Sequence, residues 1–171
     1  MRVDALRETR RVTFRRRIGV VAGMTASALA LVGCGLQIPA DPEGTEERVR
    51  GGTLEVGVTH NPPWTDLRGS GEPTGSEVEL VAQFAAELDA EVDWTEGSEA
   101  SLVAALEHRE IDLVVGGFLE QTPWADKAAV TRWYTERQND RGERERYVML
   151  IPMGENRFLV TLETFLDETA P

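Results

Sequence analysis

The sequence predicts an α/β fold, a doubly wound and mostly parallel sheet flanked by helices, on three observations. From residue 52 to residue 115, segments with a strand's two-residue period alternate with segments of helical period, the order of a βαβαβ unit. The run Ile111 to Val115, polar only at Asp112, reads as a strand buried on both faces. Glycine and proline punctuate the boundaries, with Gly97 after one strand and Gly116-Gly117 ending another.

What precedes this body is of another kind. Arg15-Arg16-Arg17 leads into Ile18 to Val32, apolar or small throughout, then Gly33-Cys34. A basic start, an apolar stretch of this length and small residues at its end predict a signal peptide over residues 1–33. The stretch falls short of the roughly 20 residues that a spanning helix needs. Leu31-Val32-Gly33-Cys34 resembles the bacterial lipobox, and the chain's one cysteine sits at its acceptor position. Cys34 is thus the expected lipid attachment, placing the protein on the extracytoplasmic face of a bacterial cell membrane, and acyl chains hold such proteins at about 0.8 kcal/mol per buried CH₂. The arginine pairs also fit twin-arginine export, with imperfect spacing. Residues 34–51, rich in Pro, Gly, Glu and Arg, are read as a flexible tether.

The net charge is −12 over 171 residues. Residues 1–33 carry seven basic groups against Asp4 and Glu8, a net +5, so the remainder stands near −17 (−12 minus 5). Such a chain lacks the basic face that phosphate backbones require, which excludes nucleic acid as a partner.

Within residues 52–171 the elements follow in order. Leu54, Val56 and Val58 alternate with Thr53, Glu55 and Gly57 as a strand, which runs into Asn61-Pro62-Pro63-Trp64. The prolines forbid ladder pairing and helix entry, so the chain turns there and presents Trp64 at the strand's carboxyl end, where open α/β sheets hold ligands. Gly75 to Ala90 is the strongest helix, striped by Val78, Val81, Ala85 and Leu88. Glu91 to Trp94 is a short strand, Ser98 an N-cap, and Leu102, Ala105 and Leu106 mark the next helix. Arg132 to Tyr134 is a further extended piece. Thr135 to Arg146 has no apolar residue and is read as a solvated connector, with Asn139 to Gly142 able to turn it back. Tyr147 to Met153 returns as a strand, and Phe158, Leu159, Leu162, Phe165 and Leu166 stripe a last helix.

These pieces together resemble the extracytoplasmic solute-binding proteins of ABC importers, the amino-acid type (family 3, type II periplasmic-binding fold). The resemblance rests on GGTLEVGVTHNPPW, on Pro73 to Leu80, on Glu110 to Gly117 and on Thr122-Pro123, short motifs specific in their order rather than singly. It implies a three-layer lobe over 52–171, with a main part 52–134, a return strand and helix 147–171, and the charged connector 135–146 where the family inserts its second lobe. It also implies a small polar or amino-acid-like ligand, weakly held by half a cleft, an ABC permease or sensor as partner, and neither catalysis nor cofactor. The arginine that meets a ligand carboxylate in amino-acid-binding members has no counterpart after Thr122-Pro123, where the chain reads Trp124-Ala125-Asp126-Lys127.

The expected ligand-binding residues are Asn61, Trp64, Glu77, Gly117, Phe118, Thr122 and Trp124. Several have a plainer reading beside the functional one. Trp64 is a stacking wall or a cap on the sheet edge, Trp124 a second wall or a cover for core. Glu77 touches a ligand or the neighbouring loop, or serves the helix N-terminus by its charge. Gly117 lets a ligand approach the backbone or permits a turn, and Lys127 and Arg132 are the candidate replacements for the absent arginine. His60 stands apart from His108, with no ligand-spaced Cys, His or Asp cluster to make a metal or catalytic site. The competing function is an accessory module whose exposed cleft face binds a protein or a second copy as a homodimer, since uncovered aromatic groups mark association.

Overall fold

In a computed structural model of the chain, residues 41–69 and 71–170 are described; the predicted signal peptide and Cys34 lie outside them. The core elements are β1 (Thr53–Val58), α2 (Ser76–Glu87), β2 (Glu91–Glu96), α3 (Glu99–Glu107) and β3 (Leu113–Leu119), preceded by a short α1 (Thr45–Val49). After them come β4 (Ala129–Val130), β5 (Thr135–Gln138), β6 (Arg144–Ile151) and α4 (Asn156–Thr169).

The strands form one mixed sheet in the order β2-β1-β3-β6-β4, with β5 continuing the β4 edge along β6. β1 runs parallel to β2 and β3, as the alternation of patterns requires, and the return strand β6 joins β3 antiparallel. Side chains alternate across the sheet. Leu54, Val56, Leu113, Val115, Met149 and Ile151 meet α2 and α4, where Phe84, Phe158 and Phe165 fill the core. Val114, Phe118, Val148 and Leu150 meet α3 through Leu102, Val103 and Leu106. β3 and β6 are therefore covered on both faces, which is why they read as continuous apolar runs. Gly57 faces α3 with no room for a side chain, since a Cβ there would lie 2.7 Å from Ile111 and 2.9 Å from Leu102.

Three expectations need correction. The tether does not reach residue 51: residues 41–50 belong to the body. Val49 of α1 is fully buried, Glu155 accepts from the amides of Glu43 and Thr45 at 3.4 Å each, and Arg48 pairs with the buried Asp112. Five residues with one apolar side chain carry too little periodicity to be read as a helix. Second, Gly116 and Gly117 lie inside β3 rather than ending it, at a register shift in its pairing with β6. Third, the charged connector is a β-hairpin. Thr135–Gln138 pairs with Arg144–Tyr147, and Asn139 turns the chain by accepting from the amides of Arg141 and Glu143 at its side-chain oxygen. Its strands carry their alternation in polar residues, which an apolar pattern cannot register.

Asp112 also accepts from the Glu55 amide at 3.1 Å, so it ties α1 to two strands. Asp112→Ala is expected to leave that half-buried amide and the Arg48 guanidinium without their partner, costing about 1.4 kcal/mol. Trypsin cleavage after Arg48 and Arg50 should then accelerate about tenfold. An unchanged cleavage rate would show that α1 is held by other means.

Candidate ligand-binding face

The carboxyl ends of β1 and β3 meet at the turn that carries Asn61 and Trp64. The turn is built from its own residues: the Trp64 amide donates to Asn61 O at 3.0 Å and the Asn61 amide to Thr65 O at 2.9 Å. The Pro62-Pro63 peptide within it is cis. Asn61 is exposed, and its Nδ2 donates to Gly116 O at 2.8 Å, which fixes the turn against β3.

Glu77 is the organising group. It is fully buried, yet its carboxylate has three donors: the amides of Gly116 at 2.7 Å and Gly117 at 2.9 Å, and the Tyr134 hydroxyl. The β3 bulge exposes two successive amides that no strand neighbour satisfies, and Glu77, in the first turn of α2, reaches across to take both. Burial pushes its carboxyl above the ordinary glutamate value, against the pull of the three hydrogen bonds. Burial and the Glu77 charge together push the Tyr134 phenol up.

The expected ligand residues thus separate. Glu77 spends its oxygens on the protein and is closed to solute, and the Gly117 amide is spent on Glu77. Gly117 also has φ +69°, and a Cβ there would fall on Trp64 Cδ1 and Asn61 Nδ2. Phe118 is buried in the α3 core. Trp64 is 6 % exposed: Tyr147 lies over it with ring centroids 3.9 Å apart, and the Arg137 guanidinium stands 5.0 Å from its ring centre. As an open stacking wall on the cleft side it is therefore covered. Trp124 turns to α3, where its Nε1 donates to Glu99 at 3.0 Å, and Thr122 Oγ1 accepts from the Trp124 amide at 3.4 Å. Asn61 and Thr122 are the two of the seven that keep polar side chains at this end of the sheet without burial.

Neither candidate replacement for the absent arginine is available. Lys127 pairs with Glu107 at 3.3 Å, and Arg132 with Glu163 and Asp167 at 2.9 Å each. His60 accepts from the Leu67 amide at 3.2 Å, a loop contact. Among the described residues no group of His, Cys, Asp and Glu is placed to hold a metal. The sequence does not single out Tyr134 or Arg137, the latter because it lies in a run without apolar residues that reads as a solvated connector. Beside β3's end the hairpin's other face borders a cavity of about 230 Å³, where Arg146 meets Glu136 at 3.2 Å and Glu120 at 3.5 Å and stands over Trp133.

Fold and motifs together define a lobe of a periplasmic binding protein, and the comparisons agree. Residues 54–142 match the model of the bacterial extracellular solute-binding proteins, family 3, and the chain belongs to that family. Its structure is similar to the arginine-bound form of domain 1 from TmArgBP, at TM-score 0.63 and 22 % identity, covering 71 % of this chain and 97 % of that one. It is also similar to the unliganded L-cystine solute receptor of Neisseria gonorrhoeae, at TM-score 0.56 and 15 % identity, over 71 % of this chain and 89 % of that one. In sequence it is 36 % identical over 92 residues to the membrane-bound lytic murein transglycosylase F of Vibrio cholerae serotype O1. That match covers 53 % of this chain and 17 % of the enzyme, so the chain spans a small part of that relative's length.

Proposed function

We propose that this chain is a lipid-anchored extracytoplasmic lobe that recognises a small amino-acid-like solute without making or breaking bonds, and passes it to an ABC permease or reports it to a sensor. The observation that supports the reading is the likeness to a single domain in its arginine-bound form, matched over 97 % of its length. The matched transglycosylase is far longer than this chain, which covers 17 % of it. With one lobe, much of the solute stays in water, so affinity in the millimolar to high micromolar range is expected. Calorimetry of the full chain against the L-amino acids, with glucose and inorganic phosphate as controls, tests this. Saturable heats from amino acids alone are the expected result, and no saturable heat from any amino acid would refute the reading.

A second reading, an association module, draws on Trp133 and Leu119, which are 45 % and 38 % exposed beside the hairpin. Sedimentation of a dimer that Trp133→Ala dissolves, with no amino-acid response, would favour it.

A further inference from the structure

A cavity of about 190 Å³ opens among α2, β5 and the end of α4, and of the seven expected contacts it takes in Trp64 alone. Trp64 and Tyr134 line it with Ser76, Glu79, Gln83 and Arg137. Two features set it apart. In a chain with a large excess of carboxylates, most described guanidiniums have one: Arg48, Arg50, Arg68, Arg109, Arg132, Arg144 and Arg146 are each in ion pairs. Arg137, like Arg141 and Arg157, has none among the described residues, but its guanidinium alone of these three lies over an aromatic ring, that of Trp64. A guanidinium so stacked keeps its in-plane N–H groups free, in the fork geometry that accepts a carboxylate. The second feature is the Ser76 hydroxyl, buried and without a hydrogen-bond partner. Buried polar groups without partners are rare in folded proteins, and one on a residue that lines the same cavity as a guanidinium without an ion pair marks a place for a ligand oxygen.

We propose that this cavity binds the head group of a small α-amino acid, its carboxylate on Arg137 and the Ser76 hydroxyl and its ammonium at Glu79, with Trp64 and Tyr134 as the apolar floor. Glu79 is exposed at the rim, where it opposes a bare anion and favours a zwitterion. The inference rests on the reading that the lobe takes an amino-acid-like solute, and it relocates the charge that the sequence lacks after Thr122-Pro123 to the hairpin strand β5.

The test titrates the full chain and its variants with L-alanine, propionate and ethylamine, following binding by calorimetry and folding by thermal melting. L-alanine should bind at least tenfold tighter than propionate or ethylamine. Arg137→Gln should weaken L-alanine binding tenfold or more. Ser76→Ala should weaken it at least threefold while leaving the melting temperature unchanged or raised, because a hydroxyl without partners adds nothing to the fold. Asn61→Ala, at a residue that does not line the cavity, should weaken it less than Arg137→Gln. An Arg137→Gln effect below tenfold, a Ser76→Ala affinity loss below threefold or matched by a lower melting temperature, or propionate binding as tightly as L-alanine would overturn the proposal. Binding that depends on Asn61 and not on Arg137 would leave the solute-binding reading intact and sink this site. No L-alanine binding by the unaltered chain would sink this site, and silence from every amino acid would sink both.

Discussion

Glu77→Ala should cost on the order of 4 kcal/mol, a large fraction of the roughly 5–15 kcal/mol that keeps a domain folded. The side chain it removes satisfies two backbone amides and a phenol at a point with no access to water, so three donors are stranded at once. Urea unfolding monitored by circular dichroism measures the loss. Glu77→Gln separates geometry from charge: its amide oxygen can accept from Gly116 and Gly117 while its nitrogen donates to Tyr134, and the cost should stay within about 1 kcal/mol. The two variants should also differ with pH. Burial raises Glu77 above 4.5, so the folded chain takes up a proton more readily than the unfolded one. Wild-type stability from this group is therefore fully present below pH 4.5 and is lost as pH rises through the folded-state value, a slope that Glu77→Gln lacks. Identical slopes would show that the carboxylate ionises in the fold without penalty.

Gly117→Ala has the second large expected effect, about 3 kcal/mol or roughly a 10 °C fall in melting temperature. Two causes add: a left-handed φ of +69°, and a methyl group driven into the Trp64 ring and the Asn61 amide. Gly142 at the hairpin tip isolates the first cause. Its φ is +79° and nothing lies within 4 Å of where a Cβ would sit, so Gly142→Ala should cost about 1 kcal/mol. Equal losses at the two positions would mean that backbone conformation alone sets the requirement at Gly117.

Much of the fold was legible because apolar residues recorded it. β1, α2, α3 and α4 announce themselves by period, and the buried run at 111–115 announces a central strand. The errors fall where other forces hold the chain. Gly116-Gly117 looks like a stop, yet the strand continues because a carboxylate from α2 supplies what a β neighbour does not. The hairpin is written wholly in polar residues and takes its order from β6, whose Tyr147 to Ile151 are buried. The site was less legible than the fold. Trp64 stood out as an aromatic at a strand's end, but its cover comes from Tyr147 and Arg137, more than 70 positions away, and no local pattern encodes such an encounter. Glu77 reads from the sequence as an acid in the first turn of a helix, where the structure has it, while its partners Gly116, Gly117 and Tyr134 are visible only in three dimensions.

The edge strand β2 carries its own consequence. Glu91, Asp93 and Glu96 stand exposed along one rim of the sheet, where β2 pairs only with β1 among the described strands. A second molecule approaching to extend the ladder there would set carboxylate against carboxylate, so its backbone groups are open to water but shut to one another. That repulsion lets copies of this chain approach at high concentration without fusing into a shared sheet.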